Sequence, residues 1–164
     1  MANNGVQIND ATFRRGMSRL KQIFPKVMEE SLKPVGQQVL TDAVHENPKT
    51  PLQDSFLRGS GTVWVNNINT FNSPWGVVTA ETSAHRGQQP TRRRDFNKIA
   101  ICNVAFTMDY AAYQHEGISK SGNPLIHKQP GTGPKYLERP FLHNRQKYLN
   151  ILATSFAHKL QQLF

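Results

Sequence analysis

The chain has 164 residues, 37% of them hydrophobic, with a mean hydropathy of −0.57 and a formal net charge of +9. This length suits one domain with its own core, and the single cysteine, Cys102, excludes an intrachain disulfide framework. No apolar run approaches the roughly 18 residues of a membrane span, the N-terminus has no signal-peptide core, and the positive excess asks for an acidic partner such as nucleic acid or another protein.

Residues 1–8 read as a flexible tail ahead of a single domain, 9–164. Asn9 or Asp10 suits an N-cap, and Phe13, Met17, Leu20 and Phe24 then recur at helical spacing. Pro25 ends that helix or opens the next. A second stripe, Met28, Leu32, Val35, Val39 and Ala43 or Val44, continues to His45, and Pro34 is expected to kink or split it. The expectation is one long, bent helical segment with its apolar ridge on a sheet.

Asn47, Pro48 and Pro51 form a firm break. After it the pattern predicts a strand over 62–68, a turn over 69–74 and a return strand over 75–82. Residues 84–95 read as a polar loop bearing Arg86, Arg92, Arg93 and Arg94. The longest predicted strand covers 96–108, and its apolar residues on both faces mark it as central. Residues 117–134 hold four glycines and three prolines without periodicity, the signature of a functional or disordered loop. A terminal helix opened by Pro140 carries Phe141, Tyr148, Leu149, Leu152, Phe156, Leu160 and Leu163 on one stripe. The sum is α+β: N-terminal and C-terminal helices packed on a small, mostly antiparallel β-sheet with long projecting loops.

The sequence offers no positive support for chemistry. His115-Glu116 begins like a zinc-protease motif, but the position four residues after His115 is Ser119, and the other histidines lack ligand spacing. Cys102 sits between apolar neighbours, as a small buried hydrophobe does. No carboxylate spacing implies acid–base pairing, and Gly59-Ser60-Gly61 reads as a turn, with no phosphate cradle or nucleophile elbow. No catalytic residue, metal or cofactor is therefore expected. The cluster Arg92-Arg93-Arg94, flanked by Arg86 and Lys98, suits either a protein-facing electrostatic contact or phosphates. Tyr110 and Tyr113, beside the long loop, are candidates for subunit contact, because amphipathic aromatics are enriched at interfaces.

Three short motifs occur in a telling order: Pro51 with Leu57, Arg58 and Ser60; Tyr110, Ala111, Tyr113, Glu116 and Gly117; and Pro140, Phe141 and Leu142. In that order they resemble the tail-completion or neck proteins of tailed bacteriophages, also described as minor capsid or head–tail joining proteins. The family's Thr-Gly before Leu-Arg is replaced here by Asp54-Ser55, and the Thr after its glycine by Ile118.

The resemblance implies a non-enzymatic virion component, made in the host bacterial cytoplasm. It would form a homo-oligomeric ring, sixfold by analogy, around the DNA exit channel at the neck. Its implied partners are copies of itself, the portal or head-closure adaptor, and the tail tube or tail terminator, with non-specific contact to packaged DNA and none to membrane. Arg92, Arg93, Arg94, Tyr110, Tyr113, Lys120, His127, Lys128 and Lys135 are the expected subunit or partner contacts. A basic double-stranded-DNA-binding module and a small metal-dependent nuclease built on His115 and Glu116 are the rival readings.

Overall fold

The computed structural model describes residues 10–52, 55–86 and 100–163. The expected tail, 1–8, lies outside the described residues, as do Arg92, Arg93 and Arg94.

Helix α1, Asp10–His45, runs 36 residues with Pro25 and Pro34 inside it. Each proline removes one backbone hydrogen bond and crowds the preceding turn, at about 3 kcal/mol in a free helix. Pro34 nevertheless does not split the helix. The second half is clamped by packing: Val27, Val39, Leu40, Ala43 and Val44 are all 5% exposed or less, and such burial outweighs local propensity. The first half is different, since residues 10–19 are exposed throughout.

After the break comes one short turn of helix, α2 (Phe56–Gly59), and then strands β1 (Gly61–Val65) and β2 (Ile68–Asn72). The hairpin turn is Asn66-Asn67, with φ of 47° and 69°, and not the expected 69–74. Two consecutive left-handed residues match the twist of a two-residue hairpin, and asparagine tolerates that region better than most side chains. The expected return strand over 75–82 is also absent. In its place the chain forms helix α3, Ala80–Arg86. Thr79 and Thr82 cap its start reciprocally: the Thr82 amide donates to Thr79 Oγ1 (3.2 Å) and the Thr79 amide to Thr82 Oγ1 (2.7 Å). That exchange satisfies two end-of-helix donors and overrides the β-branched composition.

Strand β3, Cys102–Phe106, completes an antiparallel sheet in the order β2-β1-β3. The central strand is therefore β1, every residue of which is buried, while the half-buried β3 is an edge among the described residues. Apolar side chains on both faces misled the assignment, because an edge strand beneath a helix also acquires partial cover on each side.

Register places Val63 opposite Val104 and Val65 opposite Cys102, so these four share the face under α1. A Cβ on Gly36 would overlap Val63 Cγ1 and stand 2.8 Å from Cys102 Sγ. Glycine lets the helix backbone approach the sheet this closely. Gly36→Ala should cost about 1–3 kcal/mol through overpacking, read as a lower urea midpoint at unchanged slope.

The terminal helix breaks at Asn144 into α5 (Glu138–His143) and α6 (Arg145–Gln161). Asn144 turns its amide toward Asp42 on α1 and Glu46 just beyond it, and so trades helical continuity for a side-chain anchor. Asp42 is 3% exposed. Its carboxylate accepts from Lys147 Nζ (3.0 Å), Tyr148 OH (2.8 Å) and Gln38 Nε2 (2.7 Å). These bonds pin α6 along α1.

Burial raises the pKa of Tyr136 and of Tyr148, the latter with help from its hydrogen bond to Asp42. A raised folded pKa stabilises fully below the unfolded value near 10, and that contribution is lost as pH rises beyond it. Tyrosinate absorbance from these two should therefore appear only with alkaline unfolding. Tyr136→Phe and Tyr148→Phe should each remove part of that late step.

Candidate functional site

Two of the three sequence motifs meet in one buried cluster, and the segment leading into the third joins them. Leu57, Met108, Ala111 and Tyr136 pack together, with Phe56, Phe106, Tyr110 and Leu137 against them. Leu57 contributes the first motif and Tyr110 and Ala111 the second, while Tyr136 and Leu137 lead into the third. The motif's Arg58 faces elsewhere: its Nε and Nη2 donate to the Thr50 carbonyl at 2.9 and 2.8 Å. The Thr50 amide and hydroxyl in turn bond the Ala43 carbonyl near the end of α1. Burial lowers the Arg58 pKa, and the side chain acts as a strap across the break.

Helix α4 (Ala111–Glu116) stands on this cluster and ends at Gly117, whose φ of 73° and amide bond to the Tyr113 carbonyl form a left-handed cap. A Cβ there would lie 2.8 Å from Pro134 Cβ, so the two ends of the 117–134 loop touch. The loop has no helix or extended strand, yet it is held. Leu125 N–H donates to the Gly117 carbonyl (2.8 Å), and Lys49 N–H to that of Gly131 (2.7 Å). Gln129 Oε1 accepts from the Leu52 amide at 2.9 Å. The loop is thus a shaped surface, and Ile126 projects from it at 86% exposure.

Of the expected contact residues, Lys120 and Lys128 are exposed on this loop and Tyr113 is exposed on α4. His127 is half-buried, and burial lowers its pKa. It lines a cavity of about 370 Å³ with Pro51, Gln114, Leu125, Gln129 and Thr132. Two others also make contacts within the chain. Tyr110 is half-buried, with one side against the buried cluster. Lys135 is engaged within the chain: its Nζ lies 2.7 Å from Glu116 and 3.0 Å from Glu138. Lys135, and then His115, hold the Glu116 carboxyl below its ordinary range. Arg86 is likewise internal, donating to the carbonyls of Gly59 and Ser73.

Two further features lie outside the expected site. The first is a largely apolar groove of about 550 Å³ between α1, β3 and α5–α6, walled by Leu32, Val35, Val104, Phe141, Leu149 and Leu152. Cys102 also lines it, its thiol pushed up to about 11 by burial, which suits a packing role over nucleophilic chemistry. His115, Glu138 and Arg145 are its polar groups. His115 Nδ1 lies 3.0 Å from Glu116 Oε1, and its buried Nε2 has no hydrogen-bond partner. The signal for this groove was available in the terminal helix, whose apolar stripe is wider than one neighbour covers: Phe141 and Leu149 remain 47% and 49% exposed.

The second feature is the N-terminal arm of α1. Phe13, Met17 and Phe24 are 62%, 50% and 46% exposed. With Leu20 they fall within about 60° of one another at 3.6 residues per turn, while Arg15, Arg19 and Lys26 lie on the opposite side. Among the described residues, α6 and the turn after it reach the arm, through an edge-on contact of Phe156 with Phe24 (5.4 Å) and a bond from Arg19 to the Leu163 carbonyl.

Among the described residues no three His, Cys, Asp or Glu side chains meet as a metal site, and no helix is long and apolar enough to cross a membrane. The chain matches no protein-family model, no curated protein and no solved structure.

Proposed function

We propose that this chain is a non-catalytic structural subunit of the neck of a tailed bacteriophage. In this reading it assembles as a homo-oligomeric ring, sixfold by analogy, around the DNA exit channel. The ring joins the portal or its adaptor to the tail. The observation that carries the reading is the pairing of two dissimilar surfaces, groove and arm, that the described residues leave uncovered. A closed ring needs such a heterologous interface, in which each subunit offers two different patches. The meeting of the first two motifs in a single cluster, beside the segment that leads into the third, adds support, because it gives their order a structural reason. The net charge of +9 suits a component that faces packaged DNA or acidic neighbours.

Imaging of particles carrying a tagged chain is the test. Density for the tag at the head–tail junction, in a cyclic arrangement, is expected; a chain absent from mature particles would overturn the reading. Within it, Arg92-Arg93-Arg94→Ala should leave the monomer's thermal melt unchanged and reduce incorporation into particles. Unchanged incorporation would remove the docking role of those arginines. The same net charge favours a second reading, a duplex-DNA-binding module. That reading expects the isolated monomer to bind DNA with a steep salt dependence, and no binding at low salt would eliminate it.

A further inference from the structure

The groove and the arm occur on the same helix. Counted along α1, the arm's stripe is centred some 25 Å from the groove's Leu32–Val39 wall at about 1.5 Å per residue. A continuous helix cannot fold back over that distance, so an arm seated in a groove must come from another molecule. We propose that the α1 arm docks head-to-tail in the α1–β3–α6 groove of a second copy of this chain, with Phe13, Met17, Leu20 and Phe24 as the inserted side chains. The inference rests on reading the chain as a ring subunit and names the surfaces that make the ring.

Shape and chemistry agree. An amphipathic helix that presents residues i, i+4, i+7 and i+11 is the form that apolar grooves accept. A hollow of about 610 Å³ beside Met17, Leu20 and Phe24 shows the arm's own side uncovered. Glu138 places a half-exposed carboxylate at the groove, and Lys21, which flanks the arm's stripe, would bring it a donor.

The area decides what kind of assembly this contact makes. Fully burying large aromatic-sized side chains removes about 150–250 Å² each, so the exposed parts of Phe13, Met17 and Phe24 supply roughly 300 Å². Counting the groove wall and flanking groups, one contact covers on the order of 600–1,000 Å², below the span of a stable two-chain complex. A single arm–groove contact is therefore weak. Closure, in which every copy gives one arm and receives another, makes the last contact intramolecular and holds the ring.

Disulfide trapping tests this directly in the full-length chain. In a Cys102→Ala background, Met17→Cys and Leu149→Cys are combined in one chain and oxidised at high protein concentration. A ladder of covalent dimers, trimers and higher species is expected. Adding Phe13→Glu should cut its yield about tenfold, since burial of one aromatic is worth more than the 1.4 kcal/mol of a tenfold change. The melt should stay unchanged, because Phe13 is already exposed. No ladder, a ladder indifferent to Phe13→Glu, or a product that stops at the dimer through reciprocal exchange would each overturn the proposal. A stripe that binds anionic-lipid vesicles while giving no ladder would overturn it too. The outcome separates from the neck reading: a ladder formed by a chain that never enters particles retains the interface and removes the virion role. Particles that incorporate the Phe13→Glu chain normally do the reverse.

Discussion

Replacing Tyr136 with alanine is expected to lower the unfolding free energy by about 4 kcal/mol, within the range for emptying an aromatic core site. Tyr136 is 1% exposed. Its ring meets those of Phe106 (5.3 Å) and His115 (5.1 Å) edge-on, and its hydroxyl donates to the Ala111 carbonyl at 3.0 Å. It sits where the segments before α4 and before α5 close on Leu57, so its loss opens a cavity where the first two motifs meet. Tyr136→Phe keeps the ring and removes one hydrogen bond to a carbonyl that α4 also uses, a change worth about 1 kcal/mol. Urea denaturation of both variants separates packing from hydrogen bonding. For a chain of this size the alanine variant should melt roughly 8–16 °C lower. Equal losses for alanine and phenylalanine would contradict the packing role given to the ring.

Asp42→Ala should be the second most damaging single change, at about 3 kcal/mol, because removing one partner of a buried charged network strands the others. The tally is lower than for a fully buried ion pair, since Lys147 is 42% exposed and water can take over its charge. Tyr148 OH, 2.8 Å from the carboxylate, is buried and would be left with its long 3.5 Å contact to the Pro140 carbonyl. Asp42→Asn keeps an acceptor for Tyr148 and gives up the ion pair, so it should cost about half as much. Amide exchange provides the local readout. Protection should fall first in α6, which the Asp42 network holds against α1, while β1 keeps its protection in both variants.

The same network shows why the terminal helix was legible only in part. Its apolar stripe and the opening at Pro140 are local features. The break at Asn144 has a cause on another element, the acidic pair Asp42 and Glu46 a hundred residues earlier in the chain. The hairpin is the opposite case. Asn66-Asn67 is a local turn signal, but it was outweighed by the apolar run continuing to Ile68, so the turn was placed late and a helix capped by Thr79 and Thr82 was read as a strand. For the candidate site, Tyr113, Lys120 and Lys128 could be placed on the surface from their surroundings. Lys135 could not, because its two carboxylate partners come from α4 and α5.

Periodicity, proline placement and composition by themselves determined that this is an α+β chain. They also located its long first helix through His45, its break at Pro48 and Pro51, and the apolar face of its last helix. These depend on backbone constraints and side-chain spacing that act within a few residues. Only the tertiary structure decided that β1 is the central strand, that Arg58 and Arg86 brace backbone carbonyls while Lys135 pairs with two carboxylates, and that the described residues leave a groove open and an apolar arm bare. Strand order, ion-pair choice and uncovered surface are settled by which distant segments compete for the same neighbours, and no local pattern encodes the outcome of that competition.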